Sequence, residues 1–332
     1  MSRSNAFQAK TNPDLSIVIV NWNAGDLLAQ CLESVVTSLN LQIPKLLPQS
    51  TILHLPSFTF EVWVVDNVSI DGSANMVRAH FPWVRLVENR ENVGFGRANN
   101  QAIRKSEGRY VLLLNPDTEV KPGALETLVR FMEVHPQAGA AGPRLLNPDG
   151  VLQPSCHPSP TLPRELWRLF HLDKLWPYSL YPMTEWDLNL PRRVDVVQGA
   201  CLLLRREALD QVGLFDEDYF IYSEEVDLCY RLGQAGWPLY WAPEAEVIHY
   251  GGQSTRQVAM DMFLRLYQGK LLYFRKHHGW LAAQLYKLIL AAAALARLSL
   301  SPLAWLERSP QRQRHLTLAG YYLQLLKVFP EL

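Results

Sequence analysis

The chain carries almost no net charge. Its 332 residues include 32 Lys plus Arg and 32 Asp plus Glu. No global basic field is available to attract nucleic acid, and no signature of a DNA- or RNA-binding motif occurs. Cysteine is scarce: the four cysteines, Cys31, Cys156, Cys201 and Cys229, are scattered without a C-x-x-C pair. That argues against zinc and for reduced, buried thiols in a reducing compartment. An apolar leader is also missing, since residues 1–14 are polar and read as a loose tail. The Asn67-Val68-Ser69 match to a glycosylation acceptor therefore carries little weight. Residues 288–296, "LILAAAALA", are wholly apolar but end between Lys287 and Arg297, far short of the roughly 20 residues of a membrane span.

Apolar residues are not scarce. They make up 48% of the chain, enough for a sizeable core, which excludes disorder as a class. The first half alternates short apolar strands with helices. Strands are predicted at Leu15–Val20, Glu61–Val65, 84–88 and Tyr110–Leu114, with helices over Asp26–Ser38, Ala74–His80 and from about Arg97. Fully apolar strands separated by helices predict a parallel sheet covered on both faces, with ligands beyond the strands' carboxyl ends. Residues 39–60, with three prolines and no period, read as a long surface insertion. Residues 153–191 are rich in proline and aromatics and read either as a segment covering the cleft or as an aromatic-packed loop. After Arg256, Met260, Phe263, Tyr267, Leu271 and Phe274 recur at helical spacing. This region is either a packed helical hairpin or an interfacial helix pair on an anionic membrane, drawn there by Lys270, Arg275, Lys276, Lys287 and Arg297. The expected organisation is a tail (1–14), an α/β domain (15–256) and a helical extension (257–332).

Chemistry gathers at the strand ends. "LLLNPDTEV" runs a buried strand into Asp117 and Glu119. A carboxylate there can bind a divalent cation through oxygen, or cap the helix begun by "KPGALETLV". "FIYSEEVDLCYRL" packs Glu224, Glu225 and Asp227 into four positions. Repulsion and burial would raise one carboxyl's pKa and fit it for general base work. The bland alternative is a solvated helix N-terminus. "VIHYGGQS" places His249 before two glycines, as a metal ligand, a phosphate partner or a structural histidine. "GFGRAN" imitates the dinucleotide fingerprint, but Asn99 holds the third glycine's place and the motif is detached from its strand. A nicotinamide-binding fold is therefore rejected.

Six stretches in order, "LSIVIVNWNAGDLL", "VVDNVSIDGS", "ENVGFGRANN", "LLLNPDTEV", "VQGACLLLRREAL" with "VGLFDEDYFIYSEEVDLCYRL", and "HYGGQS", resemble the family 2 glycosyltransferases, in particular the bacterial rhamnosyltransferase-like branch. The resemblance spans about residues 15–256. It implies the GT-A fold, a mostly parallel central sheet with flanking helices, here with a C-terminal helical extension. It implies an inverting, Mg²⁺- or Mn²⁺-dependent transfer from a nucleotide-diphospho-sugar, dTDP-rhamnose first and UDP-sugars next, to a surface glycan or lipid-linked glycan. The implied donor site comprises Asn23, Asp66, Asn92, Gly94, Asn99, Asn115, Asp117 and Gly199. "NPD" stands where the family carries D-x-D, so Asn115 replaces the first acid and Asp117 is the retained metal ligand, with His249 beside it. "EE" stands where the family carries its base, usually "ED", which assigns the base to Glu225 with Glu224 as the near alternative. The implied location is the cytoplasm, peripheral on the inner face of the plasma membrane. The competing reading, resting on the Asn115 and Glu225 departures, is a non-catalytic nucleotide-sugar-binding protein of a glycan assembly complex.

Overall fold

The computed structural model describes residues 12–39, 52–54, 58–251, 258–301 and 311–329. Most of the predicted 39–60 insertion, most of the N-terminal tail and the "QS" after Gly252 lie outside the described residues.

The amino-terminal half is built as the apolar runs require. β1 (Leu15–Asn21), β3 (Thr59–Asp66), β4 (Arg85–Glu88) and β5 (Tyr110–Leu114) run parallel, in the order β4-β3-β1-β5. Their connections are α1 (Gly25–Ser38), α2 (Ser73–His80) and α3 (Phe95–Ile103). β1 and β5 are buried at every position. That fits strands covered on both faces, and two core clusters account for it: Val18 and Val111 face one, Ile17 and Leu112 the other. A short strand, β2 (Leu53–His54), caps the edge by pairing antiparallel with β3.

The second half turns mixed. β6 (Thr118–Val120) and α4 (Ala124–Val134) lead to β7 (Ala140–Leu146), then β8 (Cys156–His157) and α5 (Leu162–Leu169). β9 (Arg192–Val194), β10 (Val196–Val197), β11 (Cys201–Arg205), α6 (Arg206–Val212), α7 (Glu224–Gln234) and β12 (Leu239–His249) follow. β11 inserts antiparallel between β5 and β7, and β12 runs parallel to β7 and antiparallel to β6. This order carries the ends of β1, β3, β5 and β12 and the start of β11 to one edge. Residues 153–191 are aromatic-packed: Trp186 meets Trp241 edge-on and Trp167 meets Tyr178.

The carboxyl-terminal region is α8 (Ala259–Leu300) and α9 (Gln311–Val328), packed together. Gly279, at φ 84°, breaks α8 into two straight parts. Among the described residues α8 is the one helix long and apolar enough to cross a membrane by length and composition. The short run at 288–296 is thus prolonged by Trp280–Tyr286, with only Lys287 between. One face of the second part, Ala283, Tyr286, Leu290, Ala293 and Ala294, is buried. The opposite face exposes Leu281, Leu285, Leu288 and Leu295. Both parts of the expectation are therefore present, a packed inner face and a bare apolar outer one. Most of the basic residues are not available to an anionic surface. Lys270 pairs with Glu165, Lys276 with Asp216 and Asp218, and Arg297 bonds the Leu169 carbonyl. Lys287 lies over Phe329, and Arg275 is exposed.

Candidate active site

The first wall of the site comes from the ends of β1 and β3. Asn21 and Asp66 are partners in register, and Asn21 Nδ2 donates to Asp66 Oδ1 at 3.0 Å. The other Asp66 oxygen accepts from the Ser69 amide at 2.9 Å. Asn23 joins the same loop, accepting from the Ile70 amide at 2.8 Å. Asn67 is buried and donates to the Gly94 carbonyl at 3.3 Å, so it is no accessible glycosylation acceptor. Two residues here, Asn23 and Val68, hold left-handed backbone at φ 49° and 61°. For a β-branched valine that is a strained state.

The 92–99 loop closes onto this wall. Asn92 accepts from the Gly94 amide at 3.0 Å, and buried Asn99 donates back to the Phe95 carbonyl at 3.0 Å. Both side chains are therefore spent on shaping the loop. The residue that ties the loop to the rest of the site is Asn100, which the sequence reading did not single out. Its amide group exchanges hydrogen bonds with Phe215 and donates to Glu217 at 3.0 Å. The Phe95 amide donates to the Phe220 carbonyl at 2.7 Å.

The second wall is the end of β5 and its neighbours. The Asn115 amide donates to the Ala200 carbonyl at 2.9 Å. The adjacent Gly199 faces Phe95 and Glu225, with a Cβ built there 3.8 Å from each. β6 and β12 pair so that Thr118 opposes His249, which brings His249 Nε2 to 3.4 Å from Asp117 Oδ1. The predicted metal pair is thus assembled from segments about 130 residues apart in sequence. Gln153, also unforeseen, fixes the ring. Its Nε2 donates to Asn147 Oδ1 at 2.9 Å and to the His249 carbonyl at 3.2 Å. Its Oε1 therefore accepts from His249 Nδ1–H at 2.7 Å. In the neutral ring that leaves the Nε2 lone pair turned toward a carboxylate oxygen. Two acceptors so placed repel unless a proton or a cation lies between them, and carboxylate plus imidazole suits a divalent ion. Among the described residues no third His, Cys, Asp or Glu joins them, so the remaining ligands of such an ion would come from substrate or water. Glu119 points elsewhere and accepts from the Tyr250 hydroxyl at 2.9 Å.

The third element is the start of α7. Tyr222 and Ser223, both left-handed at φ 68° and 70°, turn the chain so that Glu224 and Glu225 open the helix. One carboxyl oxygen of each glutamate is buried with no hydrogen-bond partner. Burial raises both pKa values. Glu224 goes well above the usual range because Glu225's charge adds to the burial. Glu225 is held lower than burial alone would set it by helix N-terminal amides and the Lys270 ammonium. The two carboxyls are therefore both pushed toward the neutral form and titrate as a pair, with the amides and Lys270 favouring ionisation on the Glu225 side. Asp227, the third acid of the cluster, is spoken for. It accepts from Arg231 at 2.7 Å and from His277 at 2.6 Å.

One depression, lined by Thr127, Arg130, Phe131, His135 and Glu244 among others, shares no residue with this edge. The edge itself gathers an asparagine-rich loop, a carboxylate–imidazole pair and a buried acid pair. Such a set can hold a polar, anionic substrate and take up a proton.

Comparison with known proteins places this arrangement. The family model for "Glycosyl transferase family 2" matches residues 16–213. N-acetylglucosaminyl-diphospho-decaprenol L-rhamnosyltransferase of Mycobacterium tuberculosis is 34% identical over 267 residues, 76% of this chain and 86% of that protein. Rhamnosyltransferase WbbL of Escherichia coli K12 is 29% identical over 181 residues, 51% of this chain and 66% of that protein. Among solved structures, the mannosyltransferase PcManGT of Pyrobaculum calidifontis, in complex with GDP-Man and Mn²⁺, superposes with a TM-score of 0.54 at 18% identity. That match covers 96% of this chain and 88% of PcManGT, and it shows the shared GT-A fold.

Proposed function

The chain belongs to glycosyl transferase family 2 and is a glycosyltransferase of glycan synthesis, and from that premise we propose an inverting, metal-dependent transfer of rhamnose to a lipid-linked glycan hydroxyl. The acid pair carries the reading. A packing role does not account for two adjacent glutamates with buried, unpartnered oxygens, whereas a general base must be desolvated and free to accept a proton. Glu225 takes the proton of the acceptor hydroxyl as its oxygen attacks the anomeric carbon from the face opposite the diphosphate. One displacement inverts that carbon, and no enzyme nucleophile is needed. Glu224 beside it is pushed toward its neutral form by burial and by Glu225 and so adds little competing charge.

The donor lies across the first two walls. Asp66 and Asn23 face the nucleoside, and Asn92, Gly94, Asn99, Asn115 and Gly199 shape the cleft toward the diphosphate and sugar. Asp117 and His249 would hold Mg²⁺ or Mn²⁺, which when bound offsets charge on the departing diphosphate. The PcManGT complex with Mn²⁺ supports this on grounds of shared fold. The relatives' names support rhamnose, delivered as its dTDP derivative before any UDP-sugar, and a diphospholipid-linked acceptor. Such an acceptor lies at the cytoplasmic face of the membrane. The bare leucine face of α8 would hold the enzyme there peripherally.

The experiment supplies dTDP-rhamnose, and in parallel UDP-sugars, with a polyprenyl-diphospho-N-acetylglucosamine acceptor, in Mn²⁺, Mg²⁺ or chelator. NMR of the product reads the anomeric configuration. The expected outcome is cation-dependent formation of an inverted rhamnoside, and a loss of turnover by orders of magnitude in Glu225→Gln with donor affinity kept. Retention of configuration, or full turnover in chelator, overturns the proposal.

A further inference from the structure

The family match ends at residue 213, before the acid pair and well before α8. Yet the first part of α8 touches the acid-bearing segment along its whole length. Arg265 lies over the Phe220 ring at 3.8 Å. Lys276 pairs with Asp216 and Asp218. His277 bonds Asp227 at 2.6 Å. Between these contacts, Gly269 faces the left-handed turn itself. A Cβ at Gly269 would stand 2.6 Å from the Tyr222 carbonyl oxygen and 3.1 Å from Ser223 Oγ, so only a glycine lets the helix approach this closely. The next residue, Lys270, is largely buried and pairs with Glu165 of α5 at 2.7 Å.

We propose that the Gly269–Lys270 step of α8 is a positioning element for the acid pair: Gly269 seats the helix on the Tyr222–Ser223 turn, and that seating sets a buried ammonium, Lys270, one residue on from the contact. The proposal rests on the reading of Glu225 as the base. Two consecutive non-glycine residues in left-handed backbone persist only where the surroundings hold them. Here α3 holds the segment from one side, through the Phe95–Phe220 bond and Asn100, and α8 holds it from the other. The charges around the pair are few. Glu225 lies in the field of Glu224 and Cys229 of its own helix and of Lys270 of α8. Lys270 in turn faces Glu165 and Arg168 of α5, with His157 of β8 within its field. Burial lowers the Lys270 ammonium to about 8, against the pull of Glu165, so it is charged at neutral pH. A cation there favours the ionised form of Glu225, and a helix seated one methyl farther out would let the turn shift.

The test uses the full chain and reads the pH profile of kcat/KM together with donor affinity. Lys270→Met removes the charge. The acid limb should move to higher pH, so the rate at pH 6 falls about tenfold more than the rate at pH 8.5, with donor Kd unchanged. Lys270→Arg should restore the limb. Because Lys270→Met leaves buried Glu165 paired with Arg168 alone and can misfold, Lys270→Met with Glu165→Gln repeats the test with that carboxylate neutralised, and the same displaced limb is expected. Gly269→Ala should lower kcat with donor KM kept. An acid limb unmoved in the double variant overturns the proposal when Glu225→Gln is inactive. Wild-type turnover in Glu225→Gln instead removes the base reading itself, and the proposal with it.

Discussion

Replacing Glu224 with glutamine should stabilise the protein, and more so as pH rises. Glu224 is 4% exposed, has one buried oxygen without a partner and sits beside a second glutamate. Its pKa is raised in the fold by burial and then by Glu225. The folded state therefore holds a proton that the unfolded chain releases at an ordinary glutamate value near 4.3. The stability tied to that proton is fully present below the unfolded value and is lost as pH rises toward the folded one. Over that window the wild type loses about 1.4 kcal/mol per pH unit on this account. At roughly 2 °C per kcal/mol for a chain of this size, the loss is about 3 °C per pH unit. Glutamine keeps the shape and cannot ionise, so the part of the slope due to Glu224 should vanish while the part due to buried Glu225 remains. The assay is thermal unfolding of both proteins, without added metal or nucleotide, from pH 5 to pH 8.5. The curves should nearly meet at the acid end, with the variant higher at the alkaline end. A variant less stable than wild type at pH 8.5, or a gap that does not vary with pH, refutes the account.

Asp117→Asn should leave the unfolding midpoint nearly unchanged and weaken Mn²⁺-dependent donor binding at least tenfold by calorimetry, because an amide is a poor ligand for a hard cation; unchanged Mn²⁺ dependence refutes the ligand role. Gln153→Ala should free the His249 ring and cost roughly 10–100-fold in Mn²⁺ affinity; unaltered affinity makes the glutamine merely structural. Glutamate at Leu281, Leu285 and Leu288 together should abolish flotation with liposomes while activity on a soluble acceptor persists. The basic residues of α8 are mostly engaged within the protein, so neutral and anionic liposomes should float the wild type almost equally. A strong preference for anionic vesicles refutes docking by the leucine face.

The strands were legible because their signal is local. β1, β3 and β5 are predominantly apolar, and each ends where a polar residue enters the site. Asp117 and His249 stand out at strand ends by the same token, whereas Asp66 and the choice of Glu225 come only through the family resemblance. What escaped depends on partners far away in sequence. Asp227 looks as free as Glu225 along the chain, yet His277, 50 residues on, consumes it. Gln153 has no motif, and its meaning comes from His249, 96 residues away. Lys270 reads as one more positive charge on a basic helix until Glu165, 105 residues earlier, pairs with it. The electrostatic half of the membrane expectation loses support for the same reason. Clustered basic residues in sequence do not reveal which ones turn back onto the protein.

Backbone strain was illegible for a different reason. Sequence reading looks for glycine where φ must be positive, as at Gly94, but Asn23, Val68, Tyr222 and Ser223 of the site are left-handed as well. Glycines also stand opposite this strained backbone. A side chain on Gly94 would strike the Phe220 carbonyl and one on Gly269 the Tyr222 carbonyl, so each glycine marks where a neighbour must come close enough to hold a strained segment. Left-handed non-glycine residues cost on the order of 1–3 kcal/mol each. Glycine at 222 or 223 would relax the turn, but it would also let it sample other conformations and unsettle the direction of Glu225. The sequence keeps the side chains in the turn and yields space in the helices beside it. Rigidity at Glu225 thus comes from the packing of α3 and α8 around the turn, not from the turn's own preference.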